Sequence, residues 1–414
     1  MKTGKKTEVT DPGGVGAPAP SNAWVGDISG AFADLGTFLP LVLGVLALGG
    51  FSPTSVLFGF GSFALLTALI YRRPVPVQPM KVVAALVIAL GATAGSVAAT
   101  GLLVGVSLLV LGATGAAERL KRAIPQTVLA GVSLGIGLHL AVIGGRLMAG
   151  NWPLGAAILA LVLILLRTPL SAFACLLALV SAGLWGLVGA DAVLPALTPG
   201  LHLPHLVVPS LGDFADSIRN MAVPQLMLTI TNAVIATAAL AASYFPKDAA
   251  RNITTGRLCL TTGAFNLLLA PFGALPMCHG AGGLVAQYRF GARTGLATAV
   301  FGATCLGLAI VFGDSAAALL RLLPLAAVGA LLLIAGGELA LSKRLFDGRP
   351  SCLVVIFLTG AVCVGVNVAV GIVVGFVAEI LRSKLVRLYF ARKDARSGQP
   401  RADAFNQSNN ERTK

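Results

Sequence analysis

The sequence predicts an all-α polytopic membrane protein of about fourteen apolar segments. Hydrophobic residues make up 56% of the chain and charged residues only 11%, and the mean hydropathy is +0.88, values outside the range of soluble domains. Apolar stretches such as 97–115 and 156–166 recur along most of the chain. The alternation typical of barrel strands is absent, so helices are the expected spanning elements.

The segments have rough limits, and some reach only half the usual length of a span. They are expected to begin near Phe32, Ser55, Val77, Val97, Ile124, Pro153, Pro169, Pro224, Thr255, Met277, Thr294, Ala316, Cys352 and Gly365. With a cytoplasmic N-terminus, fourteen lysines and arginines fall in inward loops and three in outward loops. This bias predicts a multi-pass protein of the cell membrane with both termini in the cytoplasm.

Polarity divides the chain into five parts. Residues 1–22 contain no signal peptide and are expected to be a disordered cytoplasmic tail. Residues 23–192 form a first repeat, 193–220 an extracytoplasmic linker and 221–385 a second repeat. Residues 386–414 form a basic cytoplasmic tail that is expected to lie near the membrane.

Composition also excludes several classes of function. The six cysteines are scattered singly, which argues against a disulfide framework, a zinc site or any other metal site. The net charge of +14 is explained by the inward loops, so lipid rather than nucleic acid is the expected contact. An enzyme would need paired acids or a motif such as HExxH, and the sequence contains neither. No cofactor is expected.

An internal repeat is indicated by two pairs of prolines. Pro76 and Pro276 are 200 positions apart, and Pro125 and Pro324 are 199 apart. The near-equal offsets predict duplication of a seven-segment unit. Because seven is odd, the second copy is expected to be inverted in the membrane, an arrangement typical of transporters.

Two helices are expected to start inside the membrane. Pro76, Pro79 and Pro276 favour an extended stretch followed by a helix start. The free N–H groups and the positive end of each dipole would then face the midplane and favour an anion. Lys81 lies in the first turn of one half-helix and would add its charge. Two alternatives stay open for Lys81: it reaches an interface, or it pairs with Asp34.

Three segments carry the polar residues of the candidate site. In the first, Asp34 and Thr37 are candidates for a counter-ion or a proton carrier, with a purely structural pair as the alternative, and Asp27 is expected to cap the helix. In the eighth, the spacing places its polar residues on one face, as cavity donors or as contacts between helices. These residues are Gln225, Thr229 and Asn232.

The tenth segment, "LPMCHGAGG", gives the densest signal. Gly280 permits a close approach of backbone or ligand, and His279 and Cys278 lie at the expected helix break. A buried histidine and an apolar cysteine of the core are the structural alternatives. Glu338 and Glu379 are assigned instead to ion pairs with arginine or lysine near helix ends.

Four stretches together resemble the molybdate transporter family, relatives of the SulP sulfate permeases. They are "GDISGAFADLGTFLPLVLGVLAL", "PVPVQPMK", "PQLMLTITNAVIATAAL" followed by "YFP", and "ALPMCHGAGGLVAQYRFGARTG". The resemblance implies two inverted seven-segment repeats divided into core and gate domains, as in nucleobase permeases, and a homodimer is possible. SulP proteins resemble this chain in their membrane part but carry a STAS domain, for which the tail is too short. Nucleobase permeases, which are similar in fold, usually carry glutamates on the eighth and tenth segments. Those segments have Gln225, Asn232 and His279 here, which favours an anion.

The expected function is secondary active uptake of molybdate by alternating access, with the oxyanion at the midplane between two facing half-helix N-termini. The candidate substrate-binding residues are Gln78, Lys81, Gln225, Thr229, Asn232, Cys278, His279 and Gly280, and the candidate coupling or counter-ion residues are Asp34 and Thr37. A sulfate or general oxyanion transporter or exchanger, a passive anion channel and a non-transporting sensor are the alternatives. Proton symport, uniport and exchange all stay open.

Overall fold

The computed structural model describes most of the chain outside its two ends. The described residues are 23–48, 50–188, 199–246, 251–313, 315, 323–341, 345 and 350–397. The predicted tail 1–22, the linker residues 193–198, the last residues 398–414 and the expected segment start at Ala316 lie outside them.

The described residues form helices joined by short turns, together with two three-residue strands. The helices are α1 (Ala23–Ala31), α2 (Leu35–Leu48), α3 (Pro53–Tyr71), α4 (Lys81–Leu90), α5 (Ala94–Thr114), α6 (Ala117–Ala123), α7 (Gln126–Ala149), α8 (Trp152–Leu165), α9 (Ala174–Val188), α10 (Leu211–Tyr244), α11 (Thr255–Leu269), α12 (Ala281–Arg289), α13 (Leu296–Phe312), α14 (Leu325–Ala340), α15 (Pro350–Gly365) and α16 (Val368–Ser397). The strands are β1 (Val77–Pro79) and β2 (Met277–His279).

The predicted all-α polytopic class is confirmed. Among the described residues, five apolar helical stretches are long enough to cross a membrane, the first of them formed by α1 and α2 together, and several shorter apolar helices accompany them. Three boundaries differ from the expectation. Helix α10 begins at Leu211, so the last part of the predicted linker, 211–220, is helical, and α16 continues to Ser397 into the predicted tail. The first segment is broken by a turn over 32–34.

The strand pair lies at the centre of the fold. β1 and β2 are antiparallel, with Gln78 opposite Cys278 in the middle. These two residues are 200 positions apart, the offset of Pro76 and Pro276, so a two-fold axis relating the halves would pass between them. The helices exchange contacts in the same way, since α3 packs on α13 and α5 on α11. The pairing agrees with inverted repeats, which stay a prediction in their details.

Each strand leads directly into a helix. α4 begins at Lys81 after Met80, and α12 begins at Ala281 after Gly280. The backbone of β2 is held from the side by Asn266 of α11, which accepts from Met277 N at 2.9 Å and donates to Met277 O at 2.6 Å. Both half-helices therefore start in the protein interior, as the prolines predict.

Asp27 has a different role from the expected cap of its own helix. Its carboxylate is 1% exposed and accepts hydrogen bonds from the backbone N–H groups of Arg293 at 2.7 Å and Thr294 at 2.9 Å. The hydroxyl of Thr294 also donates to it. Asp27 thus ties α1 to the turn that precedes α13. Sequence spacing gave no sign of this long-range partner.

Glycines bring α7 and α14 into close contact. A Cβ atom added to Gly336 would lie 2.6 Å from the carbonyl oxygen of Gly137, and one added to Gly329 would lie 2.6 Å from that of Gly144. Small residues at such positions let helix backbones approach in membrane proteins. α4 also packs on α7, so α7 lies against both α14 and α4.

Gly336→Val is expected to lower the thermal unfolding midpoint, because its side chain would force α7 and α14 apart. Overpacking of this kind costs roughly 1–3 kcal/mol. The matched control is Gly337→Val, since a Cβ at Gly337 meets nothing within 4 Å and the loss of glycine is the same. Thermal unfolding of both variants in detergent gives the comparison, and equal midpoints would contradict the packing argument.

Candidate functional site

A cavity of about 280 Å³ opens where the two half-helices begin. Its lining combines the strand ends, the first turns of α4 and α12, one face of α10 and parts of α7 and α14. The lining residues are Gln78, Lys81, Ser133, Gln225, Leu228, Thr229, Asn232, Ala233, Ala236, Cys278, His279, Gly280, Ala281, Gly282, Glu338 and Leu339. The structure therefore brings all eight predicted substrate-binding residues to one cavity.

Gln78 and Cys278 are on the cavity side of the strand pair. They are directly opposite each other, and residues opposite each other share one face of a sheet. The Gln78 amide donates to Asp34 Oδ2 at 2.6 Å. Gly280 leaves room for this amide, because a Cβ there would overlap it. A Cβ at Gly283 would likewise meet the Asp34 carboxylate, so Asp34 lies beside the first turn of α12.

Lys81 is the first residue of α4 and borders two cavities. The second, of about 20 Å³, is lined by Thr37, Lys81, Glu338 and apolar residues. No hydrogen bond or ion pair of Lys81 is found among the residues that the structure describes. The alternative in which Lys81 pairs directly with Asp34 is therefore not the arrangement seen, since Asp34 is bonded to Gln78 instead.

Gln225 caps the first turn of α4. Its side-chain oxygen accepts hydrogen bonds from Val82 N at 2.9 Å and Val83 N at 3.4 Å, and its amide nitrogen donates to Thr229 Oγ1 at 2.8 Å. The N–H groups that were expected to hold an anion at α4 are thus already used. Sequence reasoning placed Gln225 correctly beside Thr229 but missed this cap, because the partner is 143 positions away.

The first turn of α12 is open by contrast. Ala281 and Gly282 line the cavity, and within the described part of the chain no acceptor is found for their N–H groups. The first N–H groups of a helix have no intrahelical partner. A Cβ at Gly282 would meet nothing within 4 Å, which shows the space in front of this turn. α12 therefore offers free donors and the positive end of a dipole to the cavity.

Asn232 lies in an irregular part of α10. The helix forms π turns over Thr229–Ile235, and Asn232 is exposed there and lines the cavity. A π turn changes the spacing of side chains and occurs often at functional sites. The shared face predicted from regular helical spacing is therefore only partly correct: Asn232 reaches the cavity on a backbone that is no longer α-helical.

His279 borders the cavity, but its ring is turned into the protein. The residue is 0% exposed, and its ring nitrogens lie 3.2 Å from Thr261 Oγ1 and 3.2 Å from Pro76 O. The rings of Phe63 and Tyr71 pack against it edge-on. The arrangement matches the structural alternative of a satisfied core histidine, which holds the extended stretch before β1 against α11.

Two lining residues with polar side chains were not among the predicted ones. Ser133 of α7 and Glu338 of α14 both face the cavity. The ion pair expected for Glu379 is present, with Arg382 at 2.5 Å. The one expected for Glu338 is not found among the described residues. The signal that could have found Glu338 is its place within an apolar segment, where a charged side chain marks a functional position by default.

Among the residues that the structure describes, no group of three or more His, Cys, Asp or Glu side chains could hold a metal ion. The cavity offers instead one ammonium group, one carboxylate, amide groups and backbone donors. These groups suit a hydrated oxyanion, because they supply hydrogen bonds and positive potential.

The fold and the cavity at two broken helices define a polytopic membrane transporter. The transmembrane domain of a cyanobacterium bicarbonate transporter, BicA, shares the fold with a TM-score of 0.62 at 17% identity, over 86% of this chain and 98% of that one. Murine Solute Carrier 26 family member A9 (Slc26a9), an anion transporter, has a TM-score of 0.63 at 14% identity, over 87% of this chain and 68% of that one. At such identities the likeness shows the fold alone.

The sequence comparison gives the family. The model described as "Molybdate transporter of MFS superfamily" matches residues 26–140 and 217–339. Molybdate transporter 2 of Arabidopsis thaliana is 30% identical over 405 residues, covering 86% of each chain, and Molybdate transporter 1 of Chlamydomonas reinhardtii is 30% identical over 430 residues, covering 76% of this chain and 83% of that one. The chain therefore belongs to the molybdate transporter family, which confirms the resemblance and the expectation of a transporter rather than an enzyme.

Gly280→Ala is expected to displace the Gln78 amide and to break its hydrogen bond to Asp34. Adding an atom in a filled site costs roughly 1–3 kcal/mol, so the thermal unfolding midpoint should fall. Gly282→Ala is the control: its Cβ has open space, and alanine favours a helix over glycine by about 1 kcal/mol. Thermal unfolding in detergent gives the comparison, and a Gly280→Ala midpoint at or above that of Gly282→Ala would refute the contact.

Proposed function

We propose that this protein takes up molybdate across the membrane as a secondary active transporter, with the oxyanion held in the cavity at the start of α12. The observation that carries the proposal is that the first turn of α12 and the Lys81 side chain line one cavity. Among the described residues, neither the N–H groups of Ala281 and Gly282 nor the Lys81 ammonium group has a hydrogen-bond partner. Molybdate is proposed as the substrate because the chain's relatives are named molybdate transporters.

The proposed site is asymmetric. Because Gln225 occupies the N–H groups of Val82 and Val83, α4 contributes the Lys81 side chain rather than its backbone donors. α12 contributes backbone N–H groups, and Asn232 contributes an amide from α10. Gln78, Cys278 and Gly280 form the floor of the cavity. Thr229 is hydrogen-bonded to Gln225, which holds the first turn of α4 in place. His279 supports the floor from behind.

Alternating access fits a cavity that is bounded by elements of both halves. α4 and α12 belong to the two predicted repeats, and α14 closes one side with Glu338 and Leu339. In transporters of this kind one bundle moves against the other around a fixed site at the repeat interface. The small residues between α7 and α14 make these two helices a unit that would move together.

Sulfate is the second candidate, because the groups that line the cavity would interact with the charge and the oxygen atoms of an oxyanion and not with its central atom. Backbone N–H groups and an ammonium group bind any tetrahedral oxyanion. Isothermal titration of the purified protein with molybdate, sulfate and uracil separates the candidates. Tight binding of molybdate together with weak binding of sulfate supports a molybdate transporter. Equal affinities for the two anions favour a general oxyanion transporter, and binding of uracil alone refutes both candidates.

Uptake of radiolabelled molybdate into proteoliposomes tests the mechanism. Saturable accumulation supports a carrier, and non-saturating flux indicates a passive channel. Binding without flux indicates a sensor. The three outcomes differ in how the rate of uptake depends on the molybdate concentration, so uptake measured over one series of molybdate concentrations decides among them.

Lys81→Met is expected to weaken molybdate binding on the order of 10- to 100-fold, because a hydrogen bond to a charged group contributes about 1.5–3 kcal/mol. The methionine keeps most of the chain length and removes only the charge. The control is Lys384→Met, an exposed position on α16 away from the cavity. Titration calorimetry measures both, and unchanged affinity in Lys81→Met would remove Lys81 from the site.

Asn232→Asp is expected to weaken anion binding by about tenfold or more, because an isosteric like charge would face the oxyanion at reduced dielectric. Asn367→Asp is the control, since Asn367 Oδ1 accepts from Val370 N at 2.8 Å and aspartate keeps that cap. Both variants are compared in the same titration. Equal affinities would place Asn232 outside the anion's reach.

A further inference from the structure

Glu338 is an acidic side chain at the cavity that the proposed binding site does not use. It lies on α14, is exposed there, and lines both the large and the small cavity. Lys81 also lines both. Within the described ranges no hydrogen bond or ion pair is found for either residue. A carboxylate and an ammonium group thus border the same space without being bonded to each other.

The groups around Glu338 come from several elements. α14 packs on α2, α7, α8 and α9; α2 and α8 carry no ionisable residue, α7 carries His139 and Arg146, and α9 carries Cys175. Electrostatic interactions link Glu338 to Lys81, Asp34 and Cys175.

Among the described residues, the charged side chains at or beside the two cavities are Lys81, Asp34 and Glu338, and their charges sum to about one negative unit. Lys81 contributes one positive charge, and Asp34 and Glu338 contribute one negative charge each. A tetrahedral dianion would bring the total to about three negative charges in a region of low dielectric, where like charges repel strongly. Binding of the dianion therefore favours the uptake of a proton by one of the two carboxylates.

Glu338 is better placed than Asp34 for this proton. The Asp34 carboxylate accepts a hydrogen bond from the Gln78 amide at 2.6 Å and lies against the first turn of α12. Both contacts favour the ionised carboxylate, which accepts hydrogen bonds, over the protonated form. Glu338 has no such donor among the described residues, and it is accessible from the cavity. The His279 ring is excluded because both its nitrogens are in contact with other groups.

We propose that Glu338 takes up one proton from water when the oxyanion binds and releases it when the oxyanion leaves, so that anion transport is coupled to protons. The carboxylate becomes a neutral carboxylic acid, no other bond changes, and the proton returns to water on the opposite side. The inference rests on the proposed function, because it needs a dianion in the cavity.

Titration calorimetry with molybdate in buffers of different ionisation enthalpy counts the protons bound with each anion. The wild-type protein is expected to take up about one proton, and its affinity should fall about tenfold per pH unit as the pH rises through the neutral range. Glu338→Gln should take up none and bind with an affinity independent of pH. Glu118→Gln is the control: Glu118 is exposed on α6 and accepts from Thr255, as glutamine also can, so its proton count should equal that of the wild type.

Two results would overturn the inference while the proposed function stands: wild-type binding without proton uptake, or a wild-type proton count in Glu338→Gln. If Glu338→Gln does not fold, Glu338→Asp carries the test. Its shorter carboxylate should shift the pH of half-maximal proton uptake, and an unchanged profile overturns the assignment. Absence of oxyanion binding by the wild type refutes the proposed function itself, together with the inference.

Discussion

The structure depends on the hydrogen bonds of two non-helical stretches inside an apolar protein. A backbone that leaves the helical conformation in such surroundings must find partners within the protein. β1 and β2 supply most of these to each other, Met80 N donates to Pro276 O at 2.9 Å, and Thr298 and Asn266 complete the set by bonding Val75 O and both polar groups of Met277. These bonds therefore hold the starts of the two half-helices next to each other.

The symmetry of the strand pair does not extend to the chemistry around it. The positions at an offset of 200 from Gln78 and Lys81 are Cys278 and Ala281. One half-helix therefore carries a charge at its start and has its N–H groups covered by Gln225, whereas the other has no charge and open donors. This division lets a side-chain cation and a backbone dipole face the same cavity from two sides. If the two halves arose by duplication, as the sequence predicts, the repeated frame has since acquired different side chains at equivalent positions.

Prolines, glycines and apolar runs made the frame predictable from the sequence. They indicate where helices begin and break, and the 200-residue offset of Pro76 and Pro276 anticipates the pairing of Gln78 with Cys278. The partners of polar side chains were less predictable. Periodicity assigns a residue to a face but not to a partner on a distant helix, so the turn of His279 into the core was left open and the cap by Gln225 was missed. Glu338 was assigned to an ion pair because it lies near the end of its segment, and no such ion pair is found among the described residues.

The proposed site, which would bind an anion through dipoles and a single ammonium group, is suited to release as well as to binding. Conduction and transport need sites that attract the ion and yet let it leave. A cluster of arginines would hold a dianion with full charges and long residence, whereas backbone N–H groups carry only part of a charge. In the proposed site, the amides of Asn232 and Gln78 would add directional contacts without adding charge. Because the carboxylates of Asp34 and Glu338 would oppose an anion there, the balance of these groups, rather than any one of them, would set how readily the cavity fills and empties.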